Sequence, residues 1–493
     1  MKRRQFVGAG LALAAAWPFR GFTSVLKGVA DLPAKSLAGA DVLLRGSSVE
    51  AFAASLRGDL LLPGHDGYEQ ARHIWNGMFD KRPALIARCT GASDVIQAVN
   101  FAREHQLLTA VRAGGHSFSG KSTCDGGIMI DLQPMQGVRV DPKARRAYLE
   151  TGSRLGQLDH ESQALGLATT TGTVSDTGAA GLTLGGGMGW LGRRFGLSCD
   201  NVVGADVVTA AGSLIHASES ENADLLWGLR GGGGNFGVVT SLEYRLYPVD
   251  PIVLAGRVTW PIEQARDVLR YIVEFSDSMP DELGMGAALV WTPDGKPSIS
   301  AEACWSADHA AGEKVLAPLR RLGKPIGDTI APMPFVAWQS SADAGLPAGN
   351  NYYAKNGFLP KLDEAGIDLI LATFLEAPTK FIMFVEGFGG AYGRIAVEAT
   401  AFPNRKEKFF ALMVSQWSGN EDSDRRLAEL RASWKRMEHL ARGFYTNLTD
   451  PDTSSAVYRD NYGPNFPRLV TLKTKYDPMN LFRLNANVPP KTG

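Results

Sequence analysis

Apolar residues change their spacing several times along the chain, and each change marks an element. Ala84-Leu85-Ile86-Ala87 is a short continuous apolar run, which predicts a buried strand. Val95, Ala98, Val99 and Ala102 then recur at helical spacing behind Ser93, which predicts a helix capped there. Residues 107–111 and 128–132 are strand-like, with a glycine-rich stretch between them. Residues 138–140 and 146–150 predict a hairpin around Asp141-Pro142, and a helix near 155–165 ends at Gly166. Residues 238–246 alternate β-branched and polar side chains, a strand pattern. Past Pro251 the pattern shifts. A strand at 253–260 precedes an amphipathic helix at 262–275, with Ala265, Val268, Leu269 and Ile272 on its inner face. Residues 287–291 and 299–305 pair across Thr292-Pro293-Asp294-Gly295-Lys296, and a helix follows at 310–322. Strands and helices in this order predict an α+β protein whose second unit is an antiparallel sheet with helices on one face. Residues 18–60 carry no strong pattern and are expected to form an extended lead.

A chain of 493 residues is too long for one core, so two or three domains are expected. Lys plus Arg and Asp plus Glu number 51 each. That balance gives no field for nucleic acid or an anionic membrane. Cys89, Cys124, Cys199 and Cys304 are far apart and match no metal spacing, so buried thiols are expected and no metal. Met1-Lys2-Arg3-Arg4-Gln5-Phe6-Val7 precedes an apolar run from Gly8 to Trp17 that is too short to span a bilayer. This segment resembles a twin-arginine export signal. It implies delivery of a folded protein to the periplasm or medium by the twin-arginine machinery, with no stable membrane insertion.

Glycine changes the picture. The chain has 56, about 11% against a usual ~7%, concentrated in loops between residues 114 and 237. In Val111-Arg112-Ala113-Gly114-Gly115-His116-Ser117-Phe118-Ser119-Gly120, successive backbone N–H groups can form an anion site suited to a pyrophosphate, with His116 as the reactive side chain. Gly115 through Gly120-Lys121-Ser122 also fits a phosphate-loop string. That string works only when a helix follows, and none fits before the next strand. A second cluster runs from Val174 to Trp190 and is expected to be a loop touching something closely. A third, Gly231 to Gly237, matches a dinucleotide fingerprint as a string, but a strand follows it where that fingerprint needs a helix.

Arg-x-Gly-Gly-His-Ser-x-x-Gly before Gly-Gly-Ile-x-Ile-Asp-Leu resembles the flavin-attachment loop of the berberine-bridge-enzyme-like oxidases. These belong to the vanillyl-alcohol-oxidase/p-cresol-methylhydroxylase (PCMH) superfamily. Asn461 to Asn487 is similar to that family's C-terminal segment. The resemblance implies a small-molecule oxidoreductase with FAD bonded covalently to His116. It implies cofactor contacts from Arg112, Ala113, Gly114, Gly115, His116 and Ser117 in the first loop. In the second loop it implies Ser175, Asp176, Thr177, Gly178, Gly181, Leu182, Gly185, Gly186 and Gly189. Val239, Asn485 and Asn487 complete the set. Members with a second covalent bond place a cysteine where Val174 stands, so attachment through His116 only is expected. Some members carry Glu or Gln on a strand near residue 412, where this chain has Leu412. Tyr445, of Tyr445-Thr446-Asn447, is then the candidate catalytic base, and Tyr352, Tyr353 and Lys355 are candidate cavity residues. A base takes the substrate proton as a hydride leaves an alcohol, sugar or specialised-metabolite C–H for flavin N5. Electrons then pass to O2. The other readings are a dehydrogenase serving a periplasmic electron carrier and a flavin-loaded binding protein without turnover. The expected organisation is signal and lead at 1–40, a two-subdomain FAD-binding PCMH-type domain at 41–250, and a substrate domain at 251–440. A segment at 441–493 returns to the FAD domain.

Overall fold

The computed structural model describes residues 26–292, 294–419, 422–450 and 453–491, so the twin-arginine segment lies outside the described residues. The first sheet has the order Asp59–Leu61, Leu85–Arg88, Ile128–Asp131, Thr109–Arg112. Its last three strands run parallel. Leu85, Ile86, Ala87, Ile128, Met129 and Ile130 have no exposed surface, as parallel strands covered on both faces require. The helix after the first of them is Ala92–Glu104, and its cap is Gly91 rather than Ser93. No side chain caps the helix; Asp94, in its first turn, instead ties in the chain that precedes it. Its carboxylate accepts the N–H groups of Thr90 (2.8 Å), Arg57 (2.8 Å) and Gly58 (3.1 Å).

The expected extended lead is instead folded where it is described. Leu32–Lys35 pairs with Asp41–Leu44, and Gly46–Ser55 is helical. Val49, Phe52 and Ala53 enter the core beside Ala98, Phe101 and Ala102, and the Phe52 and Phe101 rings stack at 4.3 Å. Three apolar side chains in a ten-residue helix are too weak a stripe to read from sequence; packing against the neighbouring helix decides the conformation.

A second sheet is antiparallel, in the order Leu214–Ser218, Val202–Val208, Val238–Arg245, Arg146–Glu150, Val138–Asp141. The third glycine cluster therefore feeds a strand.

The largest sheet is antiparallel throughout, in the order Gly327–Asp328, Ile252–Pro261, Pro297–Trp305, Leu283–Trp291, Ile382–Gly387, Phe409–Trp417, Asn351–Leu359. Helices Ala265–Ser276, Glu364–Glu376 and Ser423–Met437 cover one face. The two-residue period sorts the side chains. Phe409, Ala411 and Met413 go to the helix side, while Phe410 and Leu412 join a cluster with Phe358, Phe402 and Tyr445 on the other. Tyr352, Tyr353 and Lys355 divide the same way. Tyr352 points to the first glycine loop, whereas Tyr353 and Lys355 meet Asp450 on the opposite, helix side of the sheet.

Helix Phe466–Tyr476 returns the chain to the second sheet, placing Leu469, Leu472 and Tyr476 among Leu225, Leu226 and Phe236. The fully buried Lys473 ammonium donates to the Asn235 carbonyl (2.8 Å), the Asp477 carboxylate (2.7 Å) and the Phe482 carbonyl (2.9 Å). A buried charge is tolerable only with partners of this kind. The fold is α+β, with one part built on the first two sheets and the glycine-rich loops and a second part built on the large antiparallel sheet.

Candidate functional site

A cleft of about 760 Å³ opens on the first glycine loop. Strand Thr109–Arg112 delivers the loop, and Arg112, Gly114, Gly115, His116, Arg154 and Asp176 line the cleft. That volume suits a large cofactor rather than a metabolite fragment. Gly114 and Gly178 lie main chain to main chain: a Cβ built on Gly114 would stand 2.2 Å from Gly178 Cα. The two glycine loops therefore meet at a point that admits no side chain.

His116 stacks on Trp75, with ring centroids 3.9 Å apart, and Trp75 stacks in turn on Tyr352 at 3.7 Å. Burial pulls the His116 imidazole down to about 4, opposed by a hydrogen bond to its own backbone, so the ring is neutral at pH 7. Its Nε2 is buried without a partner, as is Arg112 Nε. Buried polar atoms are ordinarily paired, so these two fit a site completed by a ligand. Arg112 also donates to the Ala71 carbonyl, and Arg154 pairs with Asp176. Ser117 Oγ accepts the Lys121 N–H in a turn, and residues 120–127 form no helix, which disposes of the phosphate-loop string.

The second cluster is not all loop. Ala179–Leu184 is helical behind Gly178, where two alanines and two leucines outweigh Gly181 and Thr183. Ser175 donates from N (2.9 Å) and Oγ (2.5 Å) to Asp343, which arrives from the sheet unit. The Thr177 carbonyl accepts the Leu155 N–H, and Leu182 is half-buried against the second sheet's core. Gly185 and Gly186 pack on Asn447, Tyr445 and Phe402, and Gly189 on Thr171. These three glycines lie away from the large cleft. Val239 is buried in its strand, and its carbonyl accepts the Thr151 hydroxyl at 2.7 Å. Asn485 donates to the carbonyls of Gly234 (3.1 Å) and Phe482 (2.9 Å). Asn485 Oδ1 and Asn487 Oδ1 are buried and unpartnered.

Tyr445 is buried in a cluster with Phe358, Phe402 and Phe410. Its hydroxyl oxygen accepts from Gly187 N–H (2.9 Å) and from the Asn447 amide (2.7 Å). Burial pushes the phenol well above its ordinary range, and the two donors offset this only in part. A base working near neutral pH needs the opposite shift.

Sequence reasoning missed two features. The segment around Arg72, Trp75 and Asp80 forms one wall of the cleft. Its signal was weak: a Trp75-Asn76 pair in an unpatterned stretch. Asn76, fully buried, donates to the carbonyls of Phe118 and Tyr352 at 2.9 Å each, tying the first glycine loop to the large sheet. The second feature is a smaller cavity between the large sheet and the second glycine loop, lined by Thr173, Trp190, Arg193, Glu302, Glu386 and Tyr392.

Two family models match the chain: an FAD binding domain at residues 83–218 and a berberine and berberine-like segment at 444–489. An FAD-linked oxidoreductase of Dictyostelium discoideum is 32% identical over 90% of this chain and 97% of its own length. The (R)-6-hydroxynicotine oxidase of Paenarthrobacter nicotinovorans is 31% identical over 90% and 99%. The crystal structure of 6-hydroxy-D-nicotine oxidase from Arthrobacter nicotinovorans superposes with a TM-score of 0.82 at 29% identity, covering 89% of this chain and 99% of that one. With loops, cleft and returning C-terminal helix arranged as described, the chain belongs to the berberine-bridge-enzyme-like branch of the vanillyl-alcohol-oxidase/PCMH superfamily and is an FAD-dependent oxidoreductase.

Proposed function

We propose that this enzyme removes a hydride from an alcohol, sugar or specialised-metabolite C–H and passes the electrons to O2, with FAD bonded to the protein through His116 alone. The observation that carries the tether is a neutral, half-buried imidazole whose buried Nε2 lacks a partner and which faces a cleft of cofactor size. Val174 supports a single bond, since it offers no thiol. The bound flavin supplies the hydride-accepting chemistry. The chain's own residues do the rest. Backbone around Gly114 and Gly178 sets how closely the two loops approach. Arg112, Ala113, Gly115 and Ser117 carry one side of the cradle, and Ser175, Asp176 and Thr177 carry the other. Asp343 and Arg154 hold that second side in place. The amide oxygens of Asn485 and Asn487 are available to polar edges of the cofactor.

The deciding experiment is a denaturing gel read by flavin fluorescence after acid treatment. Wild type keeps its fluorescence and His116→Ala loses it; a wild type that releases all its flavin ends the tether. A substrate screen then follows flavin bleaching without oxygen, using glucose, cellobiose, benzyl alcohol and 6-hydroxynicotine. Peroxide should accompany turnover under air, and turnover without peroxide assigns the electrons to a carrier protein. We further propose export by the twin-arginine route. Replacing Arg3 and Arg4 with Lys should retain the protein in the cytoplasm, and unchanged export would refute it.

A further inference from the structure

Residues 340–350 join the helix Phe335–Gln339 to the edge strand Asn351–Leu359 and pass along the large cleft, which Ala348 and Gly349 line. Both ends are anchored. Trp338 and Gln339 before the segment, and Asn351 and Tyr352 after it, are at most 4% exposed. Between them every residue from 340 to 350 is exposed or half-buried, and none joins a hydrophobic cluster. Hydrogen bonds hold the segment, and they reach both glycine loops. The Asp343 carboxylate accepts the Ser175 N–H (2.9 Å) and hydroxyl (2.5 Å) of the second loop. The Leu346 carbonyl accepts the Trp75 indole N–H (3.0 Å), and the Gly349 N–H donates to the Trp75 carbonyl (2.9 Å). The Asn350 carbonyl accepts the Gly77 N–H (2.8 Å). Trp75 carries this hold to the first loop: its own N–H donates to the Gly115 carbonyl (2.9 Å), and its ring stacks on His116.

Buried apolar surface is what makes a segment costly to lift away, and this one has none to give up. Its hydrogen bonds can be exchanged for bonds to water, so local opening is cheap compared with unfolding the sheet behind it. Gly349 sits at φ +90°, where other residues are strained, and nothing lies within 4 Å of a Cβ added there. Glycine therefore serves the turn of the main chain at this point rather than close packing. Against the cleft wall the fit is tight. A Cβ on Gly77 would stand 2.1 Å from the Gly349 carbonyl oxygen, so segment and wall meet main chain to main chain. The contact is thus close in geometry and weak in burial, the combination expected of a closure.

We propose that residues 340–350 are a strap that opens to admit FAD and closes behind it, with Asp343 as its catch. The inference rests on the cleft being the FAD site and does not need the bond to His116. Closed, the strap braces both glycine loops at once. It holds Ser175 through Asp343, and it holds the His116 side through Trp75. The two loops then keep one spacing around the cofactor. The strap lets go as a unit, because Asp343, Leu346, Gly349 and Asn350 lie on one short piece of chain. Asp343 is a positioning residue: its carboxylate grips the loop that cradles the cofactor. Arg154 also grips that loop, at Asp176, but from the start of the helix Leu155–Gln163. That contact stays in place when the strap lifts, so the catch falls to Asp343.

The test has two arms. The first follows hydrogen exchange by mass spectrometry in flavin-loaded enzyme, at the amides of Ser175, Gly349 and Gly77. All three are donors in the closed contact. They should exchange at one shared rate, faster than the neighbouring strand Asn351–Leu359. Asp343→Ala should speed all three by about 10-fold, the usual worth of a hydrogen bond to a charged acceptor, although Asp343 bonds only Ser175 among them. Asp343→Asn keeps one acceptor oxygen and should fall between. A rise at Ser175 alone is what a purely local contact gives, and it would overturn the strap. The second arm measures flavin release from His116→Ala, where no tether holds the cofactor. Adding Asp343→Ala should quicken release about 10-fold. With Ser175→Cys and Asp343→Cys joined by a short bismaleimide, uptake and release should both stop; the four native cysteines are buried and out of reach of the linker. Unchanged uptake and release in the linked protein would overturn the proposal. A wild type that sheds its flavin in acid would overturn the tether instead, and release is then followed on wild type itself. If His116→Ala holds no flavin, the exchange arm decides alone.

Discussion

Replacing Gly114 with Ala is the sharpest test of how the two glycine loops meet. A Cβ at this position would lie 2.2 Å from Gly178 Cα and 2.9 Å from Gly178 N. Ordinary contacts of a Cβ begin near 3.4 Å, so the intrusion exceeds 1 Å. The atoms it meets are main chain, which cannot rotate aside as a side-chain tip can. Gly114 does not occupy the left-handed region, so alanine suffers no backbone strain and the effect is packing alone. Overpacking of this kind costs roughly 1–3 kcal/mol. The loops must separate, and that displaces His116 two residues on. We expect Gly114→Ala to unfold at lower urea by an amount in that range and to purify with much less flavin per protein, read from the 450 to 280 nm absorbance ratio. Gly178→Ala meets the same contact from the other side, with Gly114 Cα at 2.6 Å, so the double variant should be less destabilised than the two single effects combined. Gly181→Ala is the control, because nothing lies within 4 Å of its added methyl. Equal stability and equal flavin content in Gly114→Ala and Gly181→Ala would refute the argument.

Two further predictions follow from buried polar groups. Tyr445→Phe removes the acceptor of the Gly187 N–H and the Asn447 amide, and should destabilise the enzyme by about 1–3 kcal/mol in urea; unchanged urea resistance would refute it. Asp159, 2% exposed, accepts from Gln339 (3.0 Å) and Thr171 (3.4 Å), and burial raises it to about 7. The folded state then holds the proton more tightly than the unfolded chain, where an Asp titrates near ~3.9. Its contribution is fully present below about pH 4 and is lost as pH rises through 7. Asp159→Asn should therefore lose less urea resistance than wild type between pH 5 and pH 8, and identical losses would count against the sign.

Much of this protein was legible in its sequence because the signals are local. Glycine crowding around His116 and Gly178, the strands on either side of the first loop, and the strand after Gly237 each depend on a few consecutive residues. So does the helix from Phe466 to Tyr476. Backbone permissiveness and side-chain period are local properties, and they predicted the α+β class and the loops that meet at the cleft. Tertiary structure decided the rest. The Tyr352–Trp75–His116 stack joins residues far apart in the chain. Tyr353 and Lys355 left the cavity list because sheet alternation turned them to the helix side. The Tyr445 phenol was pushed up rather than down because packing removed its water. Glu302, Gly286 and Glu386 became neighbours only through strand register. That register is fixed by which face of each strand is apolar and which strands pair, so no single stretch of sequence contains it.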